Sequence, residues 1–108
     1  MIEIVEFLDS KGSSLFAKWF DGLNAQAAAK VATYITRMEN GNLSSLKSVG
    51  QGVHESRIDW GPGYRVYMGK DGDRLIILLG GGTKKRQSKD IERAKEAWLE
   101  YKKQKKDR

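Results

Sequence analysis

The amino-acid sequence predicts one α+β domain over residues 1–108, with the element order β-α-α-β-β-β-α. Apolar residues recur at strand spacing in four segments and at helical spacing in three. Two connections between strands, Gly61–Gly63 and Asp71–Asp73, have the composition of hairpin turns, so we expect a mostly antiparallel four-stranded sheet. A chain of 108 residues can bury a core without disulfides, and this chain contains no cysteine.

The first half of the chain is predicted to form one strand and a helical hairpin. Residues 2–8 begin by alternating apolar and acidic side chains, which favours a strand near an edge of the sheet. An apolar face at helical spacing begins at Leu15, and a helix there would end near Gly22. Asn24 is suited to cap a second, alanine-rich helix over residues 25–40. Because both helices carry an apolar face, we expect the hairpin to pack on one face of the sheet.

The second half of the chain is predicted to form a three-stranded meander and a final helix. After a loop over residues 42–52, the predicted strands are Val53–Trp60, Tyr64–Gly69 and Arg74–Leu79. The last of these strands is almost wholly apolar, which indicates a central strand covered on both faces. We expect Gly80–Gly82 to end that strand and Ser88 to cap the helix that follows.

Positive charge is concentrated in the last quarter of the chain. Residues 84–108 hold eleven basic and five acidic residues, whereas residues 1–83 hold nine of each. Such asymmetry favours a polyanion as partner, because neutralising phosphates releases counterions. The cations between Lys102 and Arg108 also fit a solvated helix end, where the helix dipole favours positive charge. For the cations of Lys84–Arg86, which precede the helix, we favour a functional role.

Composition excludes several classes of site. The absence of cysteine excludes thiolate zinc sites and cysteine nucleophiles, and a lone histidine excludes a two-histidine metal site within one chain. The apolar runs are far shorter than the roughly 20 residues that span a bilayer, and the acidic N-terminus is unlike a secretory signal. We therefore expect a cytoplasmic protein that uses no metal, no small-molecule cofactor and no membrane.

Four polar residues of the predicted meander could converge on one side of the sheet. Glu55 and Arg57 share a face of their strand, and Arg65 and Tyr67 share a face of the next, because side chains alternate with period two. They meet only if the turn sets a suitable register, since a slip of one residue moves a whole set to the other face. The alternative is a cross-strand Glu–Arg ion pair on a solvated face.

The segment from Gly80 to Asp90 combines glycines, cations and a helix start. Glycines let backbone amides approach an anion, and the N-terminus of a helix favours negative charge. The segment lacks the spacing of a nucleotide-binding P-loop, so an NTPase is not expected. With no paired carboxylates placed for a metal, this set of cations suits metal-free phosphodiester chemistry on RNA, where the 2′-hydroxyl is an internal nucleophile.

Two stretches, Gly52–Tyr67 and Leu78–Ile91, carry a resemblance to a known family, and the final helix with Ala94 and Trp98 fits it as well. Over nearly its whole length the chain resembles the RelE/ParE toxin superfamily, and specifically its phage-derived addiction module killer protein branch, which is HigB-like. The chain departs from the family pattern at Ser56, where leucine is usual. It departs again in having Gly82-Thr83-Lys84 where Gly-Asp-Lys is usual.

The resemblance implies a RelE-like fold and a toxin that a cognate antitoxin protein holds inactive. In the RelE branch the activity is metal-independent cleavage of mRNA on the ribosome, which leaves a cyclic phosphate. The residues that match the basic cluster of the family, and are the candidate catalytic residues, are Arg57, Arg65 and Lys84. The candidate RNA-binding residues are Lys47, His54, Lys85 and Arg86, with Glu55 and Tyr67 in supporting roles. His54 lies outside the motif, but histidine is chemically the best proton-transfer group here.

Two other functions stay open at this point. ParE-type relatives share the fold but poison DNA gyrase by binding it, without a nuclease site. A phage remnant that only binds its antitoxin is the other alternative. The presence of Arg57, Arg65 and Lys84 favours the nuclease.

Overall fold

A computed structural model describes residues 1–107 as a five-stranded mixed sheet with helices on both faces. The elements in chain order are β1 (Glu3–Glu6), α1 (Leu15–Asp21), α2 (Ala25–Glu39), β2 (Leu46–Gly50), β3 (Val53–Ile58), β4 (Tyr64–Lys70), β5 (Leu75–Thr83), a 3₁₀ turn (Lys84–Arg86) and α3 (Gln87–Lys106). The strand order is β1-β5-β4-β3-β2, in which β1 is parallel to β5 and the other neighbours are antiparallel. The predicted α+β class and the position of the first strand at an edge are confirmed.

The expectation of four strands is wrong, because the predicted loop over residues 42–52 contains β2. This strand pairs antiparallel with β3 at the far edge of the sheet. The alternation of apolar and polar residues in β2 is weak, because only Leu46 and Val49 are half-buried and the other three residues are exposed. The register also shifts between Ser48 and Gly50, which breaks the period of two that marks a regular strand.

Side chains cap the first two helices, at Asn24 as predicted, whereas the predicted cap of the third helix is absent. The Ser14 hydroxyl accepts a hydrogen bond from the backbone N–H of Ala17 at 3.0 Å, and Asn24 Oδ1 accepts one from Ala27 at 2.9 Å. Ser88 does not cap α3, because the 3₁₀ turn of Lys84–Arg86 leads directly into a helix that begins at Gln87.

The glycines of Gly80–Gly82 do not end β5 as expected; the strand continues through them to Thr83. The reason is close packing on both faces of the sheet. A Cβ atom on Gly81 would overlap the Trp19 ring of α1, and one on Gly82 would overlap the Asp90 carboxylate of α3. Glycine therefore serves here to let two helices approach a strand, and not to break it.

The sheet separates two apolar layers, as the sequence predicts for a central β5. On one face the α1–α2 hairpin buries Phe16, Val31 and Met38 against β3, β4 and β5, which confirms that both helices of the hairpin pack on one face of the sheet. On the other face α3 buries Ala94 and Trp98 against the same strands. No helix within residues 1–107 is long and apolar enough to cross a membrane.

Replacement of Gly69 by alanine is expected to lower the free energy of unfolding by roughly 1–3 kcal/mol, the usual cost of overpacking. A Cβ atom there would overlap the Trp98 ring, which closes the α3 side of the sheet. Urea unfolding measures the change. Gly80→Ala is the matched control, because its Cβ would lie 4.0 Å from Leu15 Cβ, an ordinary contact. Equal stability of the two variants would contradict this account of the packing.

Candidate functional site

The register of β3 and β4 brings the four predicted polar residues together. Glu55 lies opposite Tyr67, and Arg57 lies opposite Arg65. Residues directly opposite each other share a face of the sheet, so all four lie on the face that α3 covers. The turn that contains Gly61 and Gly63, both with positive φ, sets this register.

Glu55 and Arg65 form a buried ion pair rather than a solvated one. Arg65 is 1% exposed and Glu55 is 5% exposed. Arg65 Nε lies 3.6 Å from Glu55 Oε2, and Arg65 Nη1 donates to the carbonyl oxygen of Gly63 at 2.9 Å. Arg65 thus connects β3 to the turn between β3 and β4 and does not lie on the surface.

Gln87, the first residue of α3, completes this buried cluster and was missed by sequence reasoning. Its Nε2 donates to Glu55 Oε2 at 2.8 Å. The contact joins residues 32 positions apart, so no local pattern in the sequence could indicate it. It holds the start of α3, and with it the preceding Lys84–Arg86 turn, against β3.

Five candidate cations remain exposed. Lys47 lies on β2, and the other four, Arg57, Lys84, Lys85 and Arg86, lie near the buried cluster. Arg57 lies in one row with Arg65 and Gly82 across three neighbouring strands. At about 4.8 Å between strands, the Cα atoms of Arg57 and Gly82 are roughly 10 Å apart. Lys84 follows Gly82 by two residues. The structure therefore gathers four of the exposed cations at one end of the sheet.

Comparison with known proteins adds one relative. No protein-family model matches the chain. A protein of Haemophilus influenzae, described as an uncharacterized protein, is 45% identical over 86 residues, which cover 79% of this chain and 87% of the relative. The chain belongs to the family of that Haemophilus protein.

Tyr67 lies at the centre of the buried face and is the least accessible polar group in the site. Its ring is fully buried, and within residues 1–107 its hydroxyl has no hydrogen-bond partner. Burial, together with the nearby Glu55 carboxylate, raises the pKa of the Tyr67 hydroxyl well above its usual range. Tyr67 therefore stays protonated at physiological pH and supports the site as a neutral side chain.

Lys47 and His54 lie on opposite faces of the sheet. Lys47 is exposed and pairs with Glu55, so it shares the face of the cluster. His54 pairs with Met68, whose side chain packs in the core beneath the α1–α2 hairpin. His54 is therefore separated from Arg57 by the sheet itself, and the structure does not bring it into the site.

The cations at the end of α3 lie far from the exposed cations of the site. Lys105 Nζ contacts both carboxylate oxygens of Asp71, at 2.6 and 2.8 Å, and Asp71 belongs to the turn between β4 and β5. That turn and Lys84 flank opposite ends of β5, which is nine residues long. At about 3.3 Å per residue this separation is on the order of 30 Å. Arg108, which belongs to the same basic tail, lies outside the described residues.

The site can bind and stabilise an anion through positive charge. Arg57 and Lys84 present a guanidinium and an ammonium group at the surface, and Lys85 and Arg86 extend the patch. Within residues 1–107 no three His, Asp or Glu side chains are grouped as metal ligands would be. The chemistry that this arrangement can assist is one in which negative charge increases on the way to the transition state.

Protonation of His54 is expected to destabilise the fold. Burial lowers the pKa of His54 below its usual 6.5, and Lys70 lowers it further, while the backbone of Gly52 acts in the opposite direction. The unfolded chain then binds the proton more tightly, so the stability that neutral His54 contributes is full above about pH 6.5 and is lost as pH falls through the lowered pKa.

Urea unfolding at pH 8 and pH 5, compared between the wild type and His54→Gln, measures this contribution. The loss of stability on going to pH 5 should be smaller in the variant. An unchanged loss would show that other groups account for the whole pH dependence.

Proposed function

We propose that this chain is the toxin of a type II toxin–antitoxin module and acts as a RelE-type, metal-independent endoribonuclease on ribosome-bound mRNA. The observation that carries the proposal is the cluster of exposed cations at one end of the sheet, fixed to a buried ion pair. Arg57 lies on β3, and Lys84 directly follows β5. Gln87 begins α3 just after Lys84–Arg86, and its hydrogen bond to Glu55 holds this segment against β3. The motif resemblance of the sequence also supports this proposal.

In the proposed reaction, the nucleophile belongs to the substrate. The 2′-hydroxyl oxygen attacks the adjacent phosphorus, and the bond from phosphorus to the 5′-oxygen breaks. The products are a 2′,3′-cyclic phosphate and a 5′-hydroxyl, so the 2′-hydroxyl loses a proton and the 5′-oxygen gains one. The phosphorane between them carries extra negative charge, which preorganised cations stabilise more than they stabilise the ground state.

The roles proposed for the three candidate catalytic residues differ because their burial differs. Arg57 and Lys84 are exposed and would contact the scissile phosphate. Arg65 is buried against Glu55 and would position the strand that carries Arg57, without touching the substrate. Lys47, Lys85 and Arg86 would contact neighbouring phosphates, which affects affinity more than rate.

The proposal includes a protein partner and a place of action. A cognate antitoxin protein belongs to the proposal, because the resemblance to the RelE/ParE superfamily implies a toxin that such a partner holds inactive. Its target, the translating ribosome, would make this a cytoplasmic protein.

The test is an in vitro translation reaction with primer extension on the mRNA, run beside a DNA gyrase supercoiling assay. We expect new mRNA 5′ ends that require ribosomes and disappear with Arg57→Ala. Gyrase inhibition without cleavage would instead support the ParE-like function. Neither effect, with normal growth when the chain is expressed alone, would leave only an antitoxin-binding protein.

A further inference from the structure

Cleavage through the 2′-hydroxyl needs a group that accepts its proton, and three polar groups of β3 and β4 are poorly placed for that task. Glu55 is 5% exposed, accepts a hydrogen bond from Gln87 and pairs with Arg65. Tyr67 is fully buried and stays protonated. His54 lies on the opposite face of the sheet. The proton acceptor must therefore come from another element.

Asp90, in the first turn of α3, places a carboxylate at the end of the sheet where Arg57 and Lys84 lie. A Cβ atom on Gly82 would overlap this carboxylate, so Asp90 lies directly above β5 at Gly82. Gly82 belongs to the same row as Arg57 and Arg65, and Lys84 follows it by two residues. Asp90 and Arg57 thus lie on one face of the sheet, at the two ends of this row.

The Asp90 carboxylate is half-buried and has no structural partner. Within residues 1–107 it accepts no hydrogen bond and forms no ion pair. It does not cap α3 either, because no side chain accepts a hydrogen bond at the start of that helix. A polar group that is partly removed from water without a partner costs stability, so a structural role does not explain this carboxylate.

Asp90 is accessible from a cleft of about 390 Å³ between α1 and α3. Lys18, Arg86 and Arg93 line the same cleft, which favours the approach of a phosphodiester. Burial raises the pKa of Asp90 above its usual range, and Arg86 and Arg93 offset this effect only in part. A carboxylate with a raised pKa is a stronger proton acceptor, as general-base catalysis requires.

We infer that Asp90 is the general base of the RNA cleavage, an assignment that rests on the proposed function. Its carboxylate takes the proton of the 2′-hydroxyl while the 2′-oxygen forms its bond to phosphorus. The bond from phosphorus to the 5′-oxygen breaks, and that oxygen takes a proton from water. Asp90 then returns its proton to the hydroxide that remains. The roughly 10 Å between the Cα atoms of Arg57 and Gly82 leaves room for the phosphate between the guanidinium and the carboxylate.

The experiment compares Asp90→Asn with the wild type in single-turnover cleavage of mRNA on purified ribosomes. Asparagine keeps the size of the side chain but is not a base, so cleavage should slow roughly 10²–10⁴-fold, the usual contribution of a general base. The midpoint of urea unfolding should stay unchanged or rise, because the variant removes an unpaired, partly desolvated charge. Glu92→Gln is the matched control. Glu92 is exposed on α3 outside the cleft, and this variant should cleave as the wild type does.

Added carboxylates distinguish proton transfer from a structural role. Asp90→Ala opens space in the cleft for a small carboxylate, so formate or acetate should restore part of the lost rate, whereas chloride at the same ionic strength should not. Acetate, the stronger base, should restore more than formate does at equal concentration. Asp90→Asn still fills the position and should not respond to either.

Three outcomes would overturn the inference. The first is an Asp90→Asn variant that cleaves at the wild-type rate while Arg57→Ala is slowed. The second is a loss of cleavage in Asp90→Ala that no carboxylate restores, which would leave Asp90 a structural role. The third is a loss in Asp59→Ala that formate restores, which would place the base at the exposed aspartate after β3. A wild type that cleaves no mRNA would instead remove the proposed function itself, and with it the reaction in which Asp90 acts.

Discussion

Arg57→Ala is expected to slow cleavage of ribosome-bound mRNA by roughly 10²–10³-fold, the usual effect of removing one preorganised donor to a developing negative charge. Arg57 is exposed, and its side chain makes no contact that the core requires. Its loss should therefore change the free energy of unfolding by no more than about 0.5 kcal/mol. In this variant the cleavage rate should fall while the free energy of unfolding stays nearly unchanged.

The measurement is single-turnover cleavage on purified ribosomes, with circular dichroism as a control for folding. Arg74→Ala is the matched substitution, because Arg74 is an exposed arginine beside the start of β5, at the opposite end of that strand from Lys84. It should cleave at the wild-type rate. If Arg74→Ala or Lys106→Ala loses cleavage while Arg57→Ala retains it, the site lies at the other end of the sheet.

The parts of the fold that the sequence predicts are those governed by local chemistry. Asn24 caps α2 because a side-chain oxygen near a helix start is a local feature. The buried β5 and the α1–α2 hairpin follow from apolar periodicity. β2 was missed because an exposed, irregular edge strand has little periodicity to detect. The continuation of β5 through Gly80–Gly82 was missed because its cause, the Trp19 ring and the Asp90 carboxylate packed above glycine, is tertiary.

In the candidate site, too, the features set by local sequence could be predicted and those set by tertiary packing could not. Alternation places Glu55 with Arg57 and Arg65 with Tyr67, and the register then joins the two pairs. Sequence reasoning treated Arg57 and Arg65 as equivalent cations, since both fit the same motif. Burial depends on what α3 covers, and the contact between Gln87 and Glu55 that fixes α3 there spans 32 residues. The different exposure of the two arginines could therefore not be inferred before the fold was known.

Arg65→Ala, unlike Arg57→Ala, is consequently expected to act on stability. Arg65 is among the largest fully buried side chains, and its removal would leave Glu55 buried with its charge uncompensated. Breaking a buried ion pair from one side typically costs about 3–5 kcal/mol. Loss of cleavage in this variant would then have a structural cause available and would not by itself identify a catalytic role.

A double substitution distinguishes a buried charge pair from a general loss of packing. Arg65→Met together with Glu55→Leu removes both charges while filling much of the same volume. Replacement of a buried pair by apolar residues is often neutral or stabilising. Because Gln87 loses its acceptor in this variant, we expect recovery of most, but not all, of the free energy that Arg65→Ala removes. This recovery is measured by urea unfolding of four proteins: the wild type, Arg65→Ala, Arg65→Met and the double variant. A double variant no more stable than Arg65→Met would show that the arginine stabilises the fold by packing and by its hydrogen bond to Gly63, and not by its charge.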